Sequence, residues 1–125
     1  MNKTVKDLLD EFKAEVEIGD DFAVHILRVT VDPDGAIEQS GNALPVFKVE
    51  VDHEDKAVLL HFDEADRTQV TVAALMHELD DSILDYAVCA AQEKEWETAF
   101  VRLDTPLIGF GEYLEHKVFL AVCKA

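Results

Sequence analysis

An alternation of apolar and polar residues across 47–62, interrupted by a short polar turn, constrains the fold of this chain more than any other feature. Side chains alternate between the two faces of a β-strand, so a turn at Glu54-Asp55 predicts a hairpin with its apolar positions on one face. The predicted cross-strand pairs are Val51 with Val58, Val49 with Leu60, and Phe47 with Phe62. A longer loop stays open, because Asp55 is a weaker turn residue than glycine.

Two other segments show the spacing of amphipathic helices. Thr4 and Asp7 resemble a capping box, and the apolar residues of the first helix share one face: Val5, Leu8, Leu9, Phe12 and Val16. Gly19 is the predicted end of this helix. A second helix is predicted over about residues 68–84, with Asp66 and Gln69 at its start. Its apolar stripe comprises Val72, Leu75, Met76, Leu79 and Ile83.

The remaining segments predict strands. Residues 22–31 are apolar on both faces and rich in β-branched side chains, which is typical of a central strand. The turn residues at 32–35 predict a type I turn before a short returning strand at 36–39. Residues 85–96 could prolong the second helix or form a strand, and the strand character of 96–103 favours a hairpin that turns at 93–95.

Predicted breaks at Thr105-Pro106 and at 109–111 precede a closing strand at 117–123, and no internal repeat is recognised. Together these elements predict a single domain, residues 1–125, of the α+β class. A mostly antiparallel five- or six-stranded sheet would pack against two helices. The apolar content of 49% indicates a folded chain with a full core.

The charge of the chain limits its partners. Twenty-seven acidic residues oppose eleven basic ones, for a net charge of −16 spread along both halves. No basic footprint for phosphate-backbone nucleic-acid binding exists, and anionic membrane surfaces are disfavoured for the same reason. A protein partner with a basic surface fits best. Two cysteines in apolar runs, no signal-peptide pattern and no long apolar span predict a cytoplasmic protein.

The histidines and carboxylates predict no metal site, catalytic residue or cofactor. By the hairpin alternation, His53 and His61 point to opposite faces, and His61 shares its face with Glu50. His77 and Asp81 would share a helix face, without further ligands. Residues 30–41 approach a calcium loop but end in glycine instead of the bidentate carboxylate.

An apolar segment, residues 107–114, contains two glycines and allows two interpretations. The favoured one is an inner strand with a bulge. The other is a loop that exposes apolar surface to a partner. In that case the predicted partner-binding residues are Ile108, Phe110, Glu112 and Tyr113.

The order helix, strand, paired strands, helix, paired strands is similar to that of small acidic secretion chaperones. The resemblance implies a dimeric, non-enzymatic protein that wraps unfolded segments, although here a predicted strand replaces the family's last helix and no motif matches. The leading hypothesis is a non-enzymatic acidic binding protein (adaptor, chaperone or inhibitor/immunity type) that engages a basic protein partner, and a homodimer stays open. The alternative is a small enzyme or a ligand- or metal-binding domain with a His/carboxylate pocket around His25, His77 or His116.

Overall fold

A computed structural model describes residues 2–64 and 68–125, with the backbone alone at 95 and 96. The elements in chain order are α1 (Val5–Ala14), β1 (Ala23–Val31), β2 (Ile37–Gln39), β3 (Leu44–Asp52), β4 (Ala57–Phe62), α2 (Val72–Glu78), β5 (Ala87–Trp96), β6 (Ala99–Tyr113) and β7 (Val118–Lys124). Single turns of 3₁₀ helix occupy Asp81–Ile83 and Leu114–His116.

The strands form a sheet that closes into a six-stranded barrel. The order around the barrel is β1-β3-β4-β5-β6-β7, and β7 returns to pair with β1. The β4–β5 and β7–β1 junctions are parallel, and the other four junctions are antiparallel. The short strand β2 pairs with the end of β1, in line with β3. Closure leaves the body of the barrel without a free edge.

The expectation of an α+β sheet packed against two helices is therefore wrong, because half of the chain (50%) is strand and 19% is helix. Both parallel junctions join strands that are not neighbours in a hairpin, and no alternation pattern predicts such pairing. The helices are too short to cover a sheet face. Instead, α1 packs at the end of the barrel where β7 begins, with the Phe12 ring centroid 4.8 Å from that of Phe119.

Inward-facing residues of all six barrel strands form the core, and each is at most 1% exposed. They are Val24, Ile26, Val46, Val58, Leu60, Val88, Ala90, Leu107, Phe119 and Ala121. Burial of this apolar surface stabilises the barrel by roughly 25 cal/mol per Å².

The barrel consists of two halves with the same order of elements, a helix followed by three antiparallel strands. In one half, the Val70 amide donates to the Val46 carbonyl and the Val24 amide donates to the Val70 carbonyl. In the other, Lys3 makes the equivalent bonds to the Leu107 carbonyl and the Val88 amide. The expectation of no internal repeat is therefore wrong.

Short sequence matches accompany this structural repeat. Thr4-Val5-x-x-Leu8 recurs as Thr71-Val72-x-x-Leu75, and Asp21-Phe22-Ala23-Val24 recurs as Asp85-Tyr86-Ala87-Val88. Both halves carry a β-bulge at the same place, between Val46 and Lys48 and between Leu107 and Gly109. Two halves with these correspondences are related by an approximate two-fold axis along the barrel.

The helices begin close to where the sequence predicts but end earlier. The capping box of α1 is confirmed, since the Thr4 amide donates to Asp7 Oδ2 at 2.9 Å. This helix stops at Ala14, and Val16 is 89% exposed, so it is not part of the apolar face. The predicted helix over 68–84 shrinks to α2, which begins after the Thr71 cap. Asp66 lies outside the described residues.

Asp80 accounts for the early end of the second helix. Its carboxylate accepts a hydrogen bond from the Ser82 amide at 2.8 Å and starts a 3₁₀ turn in place of a continued helix. Met76 is consequently 40% exposed, whereas Leu79 and Ile83 are buried.

The predicted hairpin at 47–62 is confirmed in part. Val51 pairs with Val58 and Val49 with Leu60, around a four-residue turn at 53–56. The Phe47–Phe62 pair is wrong, because the bulge between Val46 and Lys48 places Val46 opposite Phe62.

The hairpin interpretation of residues 86–103 is also confirmed, but its turn lies at Glu97-Thr98 instead of 93–95. The predicted breaks at Thr105-Pro106 and 109–111 fall within the continuous strand β6. Pro106 is the last β6 residue paired with β5, so its missing amide interrupts no further bond of that ladder.

Candidate functional site

The β5–β6 hairpin extends beyond the barrel as a two-stranded arm, residues 92–105. β4 pairs with β5 only as far as Ala91, and β7 pairs with β6 only from Leu107 onward. Within the arm, β5 and β6 pair only with each other among the described residues. Both outer edges of the arm therefore offer backbone groups to another strand.

The arm exposes apolar side chains. Phe100 is 75% exposed, and Val101 and Leu103 are 43% and 47% exposed. Acidic residues outnumber basic ones in the arm: Glu93, Glu95, Glu97 and Asp104 against Lys94 and Arg102. The arm thus presents exposed apolar side chains with acidic neighbours on a projecting hairpin, a combination typical of a protein-interaction site.

The predicted partner-binding residues lie elsewhere, in the part of β6 that pairs with β7. The strand-with-a-bulge interpretation is confirmed, and the loop interpretation is wrong. The Phe110 ring packs 5.8 Å from Phe119, between centroids, and Ile108 and Glu112 are half-buried. Tyr113 is 42% exposed. Partner contact by these four residues stays a prediction, now without the loop on which it depended.

A polar cluster lines a groove of about 210 Å³ on the outer face of β3–β6. His61 is the only buried polar or charged residue among those described, at 6% exposure, and its Nε2 lies 3.1 Å from Glu50 Oε1. Arg102 Nη1 lies 3.9 Å from Glu50 Oε2, and Arg102 Nε lies 3.0 Å from Asp104 Oδ1. The cluster therefore places one imidazole, one guanidinium and two carboxylates within ion-pair distance of one another.

The hairpin alternation predicted correctly that His61 and Glu50 share a face opposite His53, whose Nδ1 lies 2.9 Å from the Tyr86 hydroxyl. In the second half of the barrel, Val122 and Gly111 occupy the positions of His61 and Glu50. The barrel therefore folds without a buried His–carboxylate pair at this position. The sequence prediction missed the groove because Arg102 and Asp104 come beside His61 through the parallel β4–β5 junction, which no hairpin pattern predicts.

The histidines proposed for an enzymatic pocket do not converge. His25 Nε2 lies 3.4 Å from Gln69 Oε1, and burial lowers the pKa of this imidazole. His77 is exposed on α2, and His116 lines a shallow depression beside β6. His77 and Asp81 do not share a helix face, because α2 ends at Glu78. In the described ranges, no group of three or more His, Cys, Asp or Glu residues could hold a metal ion.

Comparisons with protein-family models, curated proteins and solved structures find no match. No helix in residues 2–64 or 68–125 has the length and apolar character needed to cross a membrane. A proposal about function therefore depends on the fold and on the surfaces described above. These are a small closed barrel and the apolar arm that projects from it.

Proposed function

We propose that this protein is a non-enzymatic acidic binding protein, of the adaptor, chaperone or inhibitor type, that engages a basic protein partner through its arm. The observation that supports the proposal is the 75% exposure of Phe100 on a hairpin whose outer edges are unpaired among the described residues. An exposed aromatic side chain on a projecting element is a typical anchor for a partner.

The strand edges of the arm, its apolar side chains and the net charge of the whole chain each contribute to binding in a different way. Unpaired strand edges donate and accept backbone hydrogen bonds when a partner adds a strand. Phe100 and Val101 supply apolar surface, and the net charge of −16 speeds the encounter with a basic partner.

The proposal places this interaction in the cytoplasm. Cys89 and Cys123 form no disulfide, and burial raises the pKa of both thiols, which keeps them protonated and unreactive. Unpaired structural cysteines are typical of a reducing compartment.

The test compares the wild type, a Phe100→Ser/Val101→Ser variant and a Val16→Ser control, each used to capture partners from native cytosol at low and high salt. Val16 is 89% exposed but lies outside the arm, so its substitution removes a similar apolar surface elsewhere. We expect a basic protein to bind the wild type and the control at low salt, and to be lost at high salt. The arm variant should bind it at least about tenfold more weakly, a loss of about 1.4 kcal/mol.

Equal capture by the arm variant and the wild type would contradict the proposal, as would a partner with an acidic surface. Light scattering on the same proteins tests the competing occupant. A homodimer that dissociates in the arm variant would make the arm an interface between two copies and overturn the assignment to a basic partner.

A further inference from the structure

The end of the barrel opposite α1 contains a cavity of about 300 Å³. The residues that bear on its chemistry are Arg28, Lys94, Lys124, Phe62, Leu103 and Thr105. The mouth of a β-barrel is a typical place for a small-molecule site. A ligand that enters this cavity from solvent can contact both the apolar and the polar residues of its lining.

The charge around this cavity is opposite to that of the rest of the chain. Three of the eleven basic residues line it, whereas its described lining contains no Asp or Glu side chain. Four basic residues elsewhere have acidic partners: Lys6, Lys48, Arg102 and Lys117. Arg28, Lys94 and Lys124 form no ion pair with a described carboxylate. Three cations around a cavity whose lining has no Asp or Glu side chain favour an anion between them.

Arg28 provides the second, independent observation. Its Nε is buried and has no hydrogen-bond partner among the described residues. A buried donor without an acceptor is costly, and an oxyanion held against the Arg28 guanidinium would offset part of that cost through its charge. Arg28 lies opposite Cys123 on β7, so its side chain starts inside the barrel wall and does not extend freely into solvent.

The repeat explains why these groups converge. By the correspondence of Val24 with Val88, the position equivalent to Arg28 in the second half is Gln92, and both line the cavity. Phe62 and Cys123, the equivalent inward residues near the ends of β4 and β7, line it as well. The cavity therefore lies on the approximate two-fold axis, where both halves contribute a polar and an apolar group.

We propose that the barrel mouth is a binding site for a small organic phosphate. The phosphate group contacts Arg28 and is neutralised by Lys94 and Lys124, and the organic part packs on Phe62 and Leu103. A volume of about 300 Å³ lies at the lower end of the range of small-molecule pockets. The overall field of a chain with net charge −16 repels anions, so such binding requires the local site.

The experiment measures the affinity of phenyl phosphate by calorimetry at low ionic strength. We expect saturable one-to-one binding by the wild type, and at least about tenfold weaker binding by Arg28→Gln, which loses a charge-assisted hydrogen bond. Lys94→Gln should also weaken binding, and it keeps the test valid if Arg28→Gln does not fold, because Lys94 is exposed. The matched control is Lys13→Gln, an exposed position on α1 with the same change in charge, which should stay within about twofold of the wild type.

Absence of saturable binding by the wild type would overturn the proposal, as would equal weakening by Lys13→Gln and Lys94→Gln. Two further ligands test the chemical class. Inorganic phosphate that binds as tightly as phenyl phosphate would exclude the apolar contact, and benzoate that binds more tightly would exclude the phosphate. Phe100→Ser should leave phenyl phosphate binding unchanged, because Phe100 does not line the cavity, whereas Lys94 and Leu103 of the arm do. The substitution therefore separates this site from the partner surface around Phe100.

Discussion

Glu11 is the residue at which the acidic composition of the chain acts most directly on the fold. Partial burial of Glu11, a residue of α1, raises the pKa of its carboxyl, and the nearby Glu15 and Glu112 raise it further. A raised pKa in the folded state means that the ionised form is disfavoured by folding. At neutral pH, ionised Glu11 therefore lowers the free energy of unfolding.

We expect Glu11→Gln to stabilise the protein at pH 7. The folded-state pKa lies above the ordinary value of 4.5, so the destabilisation is present above the folded-state pKa and is lost as the pH falls below 4.5. The gain should therefore disappear in urea denaturation at pH 4. Glu17→Gln, an exposed control, should change stability little at either pH. A gain that persists unchanged at pH 4 would refute this electrostatic cause.

Single residues also show where sequence patterns stop being sufficient. Alternation correctly predicted the faces of His61 and Glu50, because no irregularity lies between them and the turn. The alternation failed at Phe47, because the bulge between Val46 and Lys48 adds one residue to the strand. The extra residue reverses the face to which the side chains beyond it point. The Phe47 ring consequently lies on the outer face, 6.2 Å from the His61 ring. A bulge depends on packing in both neighbouring strands, so a strand's own sequence does not predict it.

The two helices are equivalent elements that begin with the same cap. Thr4 Oγ1 accepts a hydrogen bond from the Asp7 amide at 3.3 Å, and Thr71 Oγ1 accepts one from the Ala74 amide at 3.2 Å. Each cap satisfies an amide at the start of a helix that is too short to be stable alone. The caps and the buried face, Leu8 in α1 and Leu75 in α2, together fix both helices on the barrel.

Thr4→Ala and Thr71→Ala should each lower the free energy of unfolding by about 1 kcal/mol, because each removes one cap bond. Urea denaturation measures both. Thr98→Ala, in the exposed turn of the arm, serves as the control and should stay within about 0.5 kcal/mol of the wild type. If Thr98→Ala costs as much as the cap variants, the loss does not arise from capping.

At the element scale, the sequence predicts most of the strands but misplaces their ends. The hairpin at β5–β6 was predicted with its turn at 93–95, because the charged residues there are typical of a turn. The strands instead continue past their barrel neighbours to Trp96, and this continuation is what creates the arm. The charged residues at 93–95 thus belong to a strand that continues beyond the barrel, and not to a turn. The sequence of this segment cannot distinguish the two, because the difference depends on where β4 and β7 end.

The whole molecule combines a compact barrel with charge of mainly one sign. The sequence contains 27 acidic and 11 basic residues, and the barrel brings the described ones close together, so like charges repel across its surface. The closed sheet itself could not be predicted from hairpin signals, because it depends on two parallel junctions. The sequence did contain one signal for a two-fold barrel. Thr-Val occurs at 4–5 and again at 71–72, and the segment at 21–24 recurs at 85–88 with Tyr in place of Phe.

We expect the melting temperature to rise by a few degrees between about 0.01 M and 0.15 M salt, as the Debye length falls from about 30 to about 8 Å. A gain of about 1 kcal/mol corresponds to roughly 3–6 °C for a chain of this size. Calorimetry with two salts of different cations separates screening from specific ion binding. A melting temperature that does not change with salt would show that repulsion contributes little to stability.

Closure of the barrel by the last strand has a consequence for synthesis on the ribosome. β1 leaves the exit tunnel before the other strands of the barrel, yet its partner over Ala23–Val29 is β7, which follows all of them. Contacts between such distant segments are slow to form, because the loop between them must be ordered first. The nascent chain therefore carries an open β1 edge until β7 has left the tunnel, and during that time the edge is able to pair with other chains.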